Sequence, residues 1–126
     1  MNRFFGALAV LFASLITVIT GFCINTNTAA SVNALLSESV SYAQNNHIPQ
    51  AKLSLQKAKN LWDSQMQTML LFVSHGKLDQ IEETINIADS YIKSNEISLY
   101  LAKCNTAILL IDNFKNVEYP NINNIF

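Results

Sequence analysis

The sequence is poor in the residues that end helices and build turns, with only three glycines and two prolines among 126 residues. Two of the glycines, Gly6 and Gly21, lie in an apolar stretch near the N-terminus. Small β domains need frequent turns containing Gly or Pro, so this scarcity argues against them. The composition therefore predicts an all-α chain.

Charge is also scarce, since charged residues make up 13% of the sequence. The eight basic and nine acidic residues are intermixed, and they form neither a basic nor a strongly acidic face. We therefore expect no nucleic-acid partner. Outside the apolar stretch only about a hundred residues remain, enough for one small domain with a single core.

What the sequence does contain is a long apolar run, Phe4 to Ile24, without a charged residue. A helix of this length is about 31 Å long and can cross the hydrocarbon core of a bilayer. The run predicts a transmembrane anchor within residues 1–24, followed by a helical domain over 25–115 and a tail over 116–126. The bilayer is thus one expected partner.

The charges beside the apolar run predict its orientation. Arg3 precedes the run, whereas the first charged residue after it is Glu38 and the first lysine is Lys52. The positive-inside rule then places the N-terminus in the cytoplasm and the rest outside, as a single-pass protein of the cell membrane. A signal peptide cleaved near Thr28-Ala29-Ala30 is the alternative, but the length of the run favours an uncleaved anchor.

Beyond the span, apolar residues recur at helical spacing in segments near 29–46, 49–74, 79–94 and 96–113. Asn33 falls on the solvent side of the first segment. The expected inner faces comprise Val32, Leu35, Leu36, Val40 and Ala43; Ala51, Leu55, Ala58, Trp62, Met66, Met69, Leu70 and Val73; Ile81, Ile85, Ala88 and Ile92; and Ile97, Leu101, Cys104, Ile108 and Ile111.

Turn and cap residues suggest where these helices begin and end. Asn45-Asn46-His47 predicts a tight turn, and Gly76 is placed to end a helix in the left-handed conformation. Asp79 and Glu82 resemble a capping box for the next helix. Asn25 to Thr28 contains neither Gly nor Pro, which leaves open whether the membrane helix continues into the domain.

A weak internal repeat supports this division of the sequence into helices and turns. Ser41-Tyr42 followed by Asn46 recurs as Ser90-Tyr91 followed by Asn95. Each copy spans a helix, a short turn and a helix. Two such hairpins would bury their apolar faces against each other, which predicts a small antiparallel four-helix bundle or a short pair of tetratricopeptide-like hairpins.

The order of features resembles a bacterial family of single-span membrane proteins known only as a domain of unknown function, family 4363. The resemblance consists of the N-terminal span, Trp62, Met69-Leu70, Ser74-His75, Leu78-Asp79-Gln80-Ile81-Glu82, Tyr91-Ile92 and the terminal Asn124-Ile125-Phe126. It implies an extracytoplasmic helical domain of Gram-positive bacteria with no assigned activity.

One cluster could carry metal or acid–base chemistry, formed by His75, Asp79, Glu82 and Glu83. Gly76 is expected to break the helix between His75 and Asp79, and the cluster lacks the Cys or second His of a typical zinc site. No nucleophile motif or phosphate loop is present. We therefore expect no catalysis, no metal and no cofactor.

The two cysteines allow two interpretations. Cys23 and Cys104 could form a disulfide in an extracytoplasmic protein, yet Cys23 lies at the membrane boundary and Cys104 on an inner helical face. Cys104 is better explained as a small buried apolar residue.

The sequence offers five residues for an interaction surface: Trp62, His75, Asp79, Ile125 and Phe126. Trp62 could line a ligand groove, although its spacing favours the core, and the apolar tail could fold back or meet a partner. The leading hypothesis is a non-enzymatic, membrane-tethered module that binds a protein in or at the membrane. The alternative is a bundle that senses or binds a small ligand.

Overall fold

The computed structural model describes residues 2–71 and 75–118, and the side chains of these residues except 21–26 and 115–118. The described residues form four α-helices and no strand, which confirms the all-α prediction. The helices are α1 (Asn2–Gln44), α2 (Ile48–Met69), α3 (His75–Lys93) and α4 (Ile97–Glu118).

The first helix is the longest, with 43 residues. It continues without interruption through Asn25 to Thr28, so the membrane run and the next predicted segment form one helix about 65 Å long. Its first part, Asn2–Thr20, has a mean hydropathy of 2.0 and is not buried at all. That part is apolar enough to cross a membrane, whereas the later part of α1 packs into the domain.

Two hairpin turns connect α1 to α2 and α3 to α4 with the same backbone geometry. Asn46 and Asn95 adopt the left-handed conformation, with φ of 61° and 60°. The next N–H group in each turn donates back to a carbonyl oxygen of the helix, His47 to Tyr42 at 2.8 Å and Glu96 to Tyr91 at 2.9 Å. Both turns are therefore Schellman caps, in which Asn takes the place more often held by Gly.

The helices pack around one shared core. α1 contacts α2 and α4, α3 contacts α4, and the interface between α2 and α3 is the smallest of the four. Ser39 of α1 contacts Tyr100 of α4, and Asn33 contacts Asp112. Since earlier residues of α1 meet later residues of α4, these two helices run in opposite directions.

The predicted inner face of α3 is confirmed, and that of α2 is confirmed in part, because Met66 and Leu70 are only partly buried and Val73 lies outside the described residues. The buried core residues of these helices include Ala51, Leu55, Ala58, Trp62, Met69, Ile81, Ile85, Ala88 and Ile92. In α4 the prediction was only partly correct. Cys104 and Ile111 are buried as expected, but Ile97, Leu101 and Ile108 are only partly buried, and the core is completed by Tyr100, Ala107 and Phe114.

The expected end of α2 and the expected start of α3 were wrong. α2 ends at Met69, and Gly76 does not have a positive φ but lies in the first turn of α3, which begins at His75. Asp79 therefore falls beyond the free N–H groups of the first turn, and it cannot act as the N-cap of this helix.

Candidate functional site

The helix register defines which end of the domain faces the apolar run of α1. The Ser39 hydroxyl donates to the carbonyl oxygen of Ala51 at 2.7 Å, which fixes the pairing of α1 with α2. α2 continues for about eighteen residues from Ala51 to Met69, and the same distance back along α1 leads to about Gly21. The end of α2 therefore lies level with the last turns of the apolar run.

The opposite end of the domain carries the two hairpin turns. The residues of these turns, Asn45 to His47 and Ser94 to Glu96, are all polar and exposed. We call this the distal end, and the end that carries Met69 and Leu71 the proximal end.

A buried polar chain crosses the distal half of the core. The Ser39 hydroxyl gives its proton to Ala51, so the buried Tyr100 hydroxyl, which also contacts Ser39, must donate to it. Burial raises the pKa of the Tyr100 hydroxyl well above its usual range and raises the pKa of the neighbouring Cys104 thiol to about 11. Both groups are protonated and unreactive at neutral pH, and Cys104 is a free, buried thiol.

A second polar contact joins α1 to α4. The Asn33 side-chain amide donates to a carboxylate oxygen of Asp112 at 2.8 Å, and only 9% of Asn33 is exposed. The expectation that Asn33 faces solvent was therefore wrong, because α4 covers that face of α1. Within the described residues the Asn33 Oδ1 has no hydrogen-bond partner.

One ion-pair network crosses the small interface between α2 and α3. Asp89 accepts hydrogen bonds from Lys59 of α2 at 3.2 Å and from Lys93 of its own helix at 2.8 Å. Burial acts to raise the pKa of Asp89, but the hydrogen bonds from Lys93 and Lys59 outweigh it and lower that pKa. Asp89 is thus an ionised structural group.

Trp62 is not part of any surface. Its side chain is 1% exposed within the core, so its assignment to an interaction surface was wrong. Among the described residues its Nε1–H has no acceptor. The register set by Ser39 and Ala51 places Trp62 close to the level of Ala29 on α1, a small residue that leaves room for the ring. Helical spacing alone does not show which apolar residues reach solvent.

His75 and Asp79 lie on the surface at the start of α3. Because α3 is continuous from His75, the two side chains share one face, contrary to the expected break at Gly76. Among the described residues no three His, Cys, Asp or Glu side chains are placed to hold a metal ion. Ile125 and Phe126, the other two predicted surface residues, lie outside the described residues.

Two surface grooves lie beside these residues. One runs along α3 and is lined by Asp79, Glu82, Glu83, Asn86, Ile87 and Ser90. The other, of about 140 Å³, lies between α3 and α4 and is lined by Lys77, Gln80, Ile81, Leu110, Asn113 and Phe114. His75 lines neither of these two grooves, so neither one brings its side chain together with the acidic residues.

The family model described as a domain of unknown function, DUF4363, matches residues 23–125. The chain belongs to the DUF4363 family. The matched region covers the domain part of α1, the other three helices and nearly all of the tail, whereas most of the apolar run lies before it. No curated protein and no solved structure matches the DUF4363 chain.

Sequence reasoning missed one residue at the proximal end. Leu71 is 78% exposed at the end of α2. The sequence did contain an indication of this exposed residue, because Met69 to Val73 is a run of five apolar residues near the predicted boundary between two helices. Loops are normally polar, so this run is unusual.

Proposed function

We propose that this DUF4363 chain is a membrane-anchored, non-enzymatic module that binds a protein partner in or beside the same membrane. In this proposal the domain is an antiparallel four-helix bundle made of two hairpins, and it lies outside the cytoplasm. The observation that carries the proposal is the continuity of α1, which passes from an unburied apolar stretch directly into the core of the domain.

The burial of α1 just beyond the apolar run supports an anchor that is retained. Thr28 is 6% exposed and Ala29 is fully buried, both within α1. Cleavage near Thr28-Ala29-Ala30 would cut a helix whose side chains there are packed in the core.

The buried polar groups are engaged in contacts within the fold, and this supports a binding role over catalysis. Tyr100 and Ser39 satisfy each other, Asp89 is held by two lysines, and Cys104 has a raised pKa. A nucleophile or general base needs an accessible group with a pKa suited to proton transfer near neutral pH. These groups instead serve to join helices.

The small-ligand alternative has less support among the described residues. It requires a cavity beside Trp62, but Trp62 is buried in the core cluster and lines neither of the two grooves described above. The protein-binding proposal needs no cavity, because the exposed span offers a surface for another membrane helix.

Cross-linking in intact cells tests this proposal. Photoreactive residues placed at Ala9, Ala13 and, as a control on the distal turn, Ser94 would be compared in the full chain. We expect a discrete cross-linked protein that also copurifies in mild detergent, and that is lost when Asn2–Thr20 is replaced by an unrelated leucine-alanine helix. Recovery of the chain alone, as a monomer under several conditions, would refute a protein partner.

A labelling experiment tests the side of the membrane. In a Cys23→Ser background, Ser94→Cys at the distal turn should react with an impermeant maleimide in intact cells. Asn2→Cys should react only after the cells are opened. The reverse pattern would show that the domain faces the cytoplasm.

A further inference from the structure

The connection that follows α2 differs from the two hairpin turns. Leu71 is 78% exposed, compared with 70% for Phe4 at the start of the span, and Phe72 and Val73 follow it in the sequence. Single exposed leucines on helix faces, such as Leu53 at 58%, are common in soluble proteins. Leu71 instead follows the last residue of a helix within a run that is apolar in sequence, and exposed apolar side chains in such a setting often mark contact sites.

The position of Leu71 along α1 indicates what it contacts. The pairing of Ser39 with Ala51 places the end of α2 level with about Gly21, inside the apolar run that ends at Ile24. If the run crosses the bilayer, Leu71 lies at the boundary between headgroups and hydrocarbon. Apolar side chains at that depth are buried in lipid when a segment lies in the interface.

We propose that the end of α2 forms a second membrane contact, in which Leu71 enters the lipid of the leaflet nearest the domain. This inference rests on the proposed membrane anchor. The occupant is lipid because the exposed side chain is beside a helix segment that is itself apolar and unburied. Two contacts, the span and Leu71, would fix the tilt of the domain over the bilayer and orient its surface for a partner.

Lipid-quenching of a fluorescent label tests this contact in the full chain. Leu71→Cys, Leu53→Cys and Leu11→Cys would be made in a Cys23→Ser background, where Cys104 is buried and does not react. Each variant would carry an environment-sensitive nitrobenzoxadiazole label in vesicles of phosphatidylcholine and phosphatidylglycerol. Nitroxide quenchers would be attached to the lipid acyl chains near the headgroup.

Comparing quenching at the three labelled sites distinguishes the possible results. Leu11 tests the anchor, and Leu53 is a matched exposed leucine on α2 about 27 Å further from the bilayer along the helix. We expect quenching at Leu71 to be several-fold stronger than at Leu53, with a blue shift of the emission. Unchanged circular dichroism would show that the variants fold.

Three results would overturn the inference. Strong quenching at Leu11 with equal, weak quenching at Leu71 and Leu53 would leave the anchor in place but show that Leu71 is in water. A blue shift at Leu71 without lipid quenching would show that protein, such as a second copy, covers it. Absence of quenching at Leu11 would refute the anchor, and with it both this inference and the proposed function.

Discussion

The two ends of the helical domain are built differently. At the distal end both turns are polar and end their helices with an asparagine in the left-handed conformation. At the proximal end the residue that caps α2, Leu70, has right-handed helical geometry, and the sequence beyond it is apolar, with Leu71 exposed. Under the proposed membrane contact, the connections between helices, more than the helices themselves, distinguish the end that meets water from the end that meets lipid.

The core shows a matching contrast. In the proximal half the helix register places the buried Trp62 level with small residues of α1 such as Ala29, and its Nε1–H has no acceptor among the described residues. In the distal half the Tyr100 hydroxyl is satisfied by Ser39. The proximal core should therefore depend on packed volume, and the distal core also on hydrogen bonds.

The largest expected loss of stability comes from a substitution in the proximal half of the core. Trp62→Ala should lower the free energy of unfolding by about 3–5 kcal/mol, because it leaves a cavity where the indole ring was. Tyr100→Phe, the distal control, should cost only about 1 kcal/mol, since it removes one hydrogen bond and little volume. Urea unfolding of the full chain in mild detergent, followed by circular dichroism, measures both. A smaller loss for Trp62→Ala than for Tyr100→Phe would contradict this account of the core.

The second effect is a loss of stability at alkaline pH, located in the distal half. Burial raises the pKa of Cys104 from 9.0 to about 11 and raises the pKa of Tyr100 as well. Above pH 9 the unfolded chain releases the Cys104 proton while the folded chain keeps it, so stability is complete below pH 9 and is lost toward pH 11. The loss attributable to Cys104 is on the order of 2 kcal/mol. Unfolding measured from pH 8 to 11 should show a weaker pH dependence for Cys104→Ala, and an identical dependence would refute the assignment.

The third effect concerns the two distal turns. Asn46→Ala and Asn95→Ala should each cost about 1 kcal/mol, because alanine is strained in the left-handed conformation. Asn46→Gly and Asn95→Gly should be close to neutral, since glycine adopts it freely. Thermal unfolding of the four variants measures this. A cost at only one turn would show that the two hairpins are not equivalent.

The smallest effect lies at the interface between the hairpins. Lys59→Ala should cost less than about 1 kcal/mol, because the pair with Asp89 is partly exposed to solvent. The cost should shrink as salt is raised, whereas Lys57→Ala, an exposed change on the same helix, should be neutral. A loss that does not change with salt would indicate that the Lys59 side chain stabilises by packing.

Much of the fold followed from spacing in the sequence. The faces of α2 and α3 were predictable because polar and apolar residues alternate there at helical intervals. α4 has apolar residues on all sides, with Leu99 47% and Leu109 63% exposed, so its buried face depends on tertiary contacts. The continuity of α1 was not predictable, since Asn and Thr at positions 25–28 neither favour nor forbid a helix strongly.

Less of the candidate site could be predicted. Trp62 has the spacing of a core residue, and only the folded chain shows that no part of it reaches the surface. Gly76 suggested a helix end because glycine often has a positive φ there, but glycine is also tolerated within a first turn. The predicted roles of Ile125 and Phe126 remain predictions.

The most direct test of the central claim, that one unbroken helix joins the apolar segment to the domain, is a distance across the junction. Spin labels at Leu8→Cys and Ser41→Cys, in a Cys23→Ser background in lipid nanodiscs, would be measured by pulsed electron paramagnetic resonance. Continuous α1 predicts one narrow distribution near 50 Å, from the helical rise of about 1.5 Å per residue. A broad distribution at clearly shorter distances would show a hinge between span and domain, and would contradict the account.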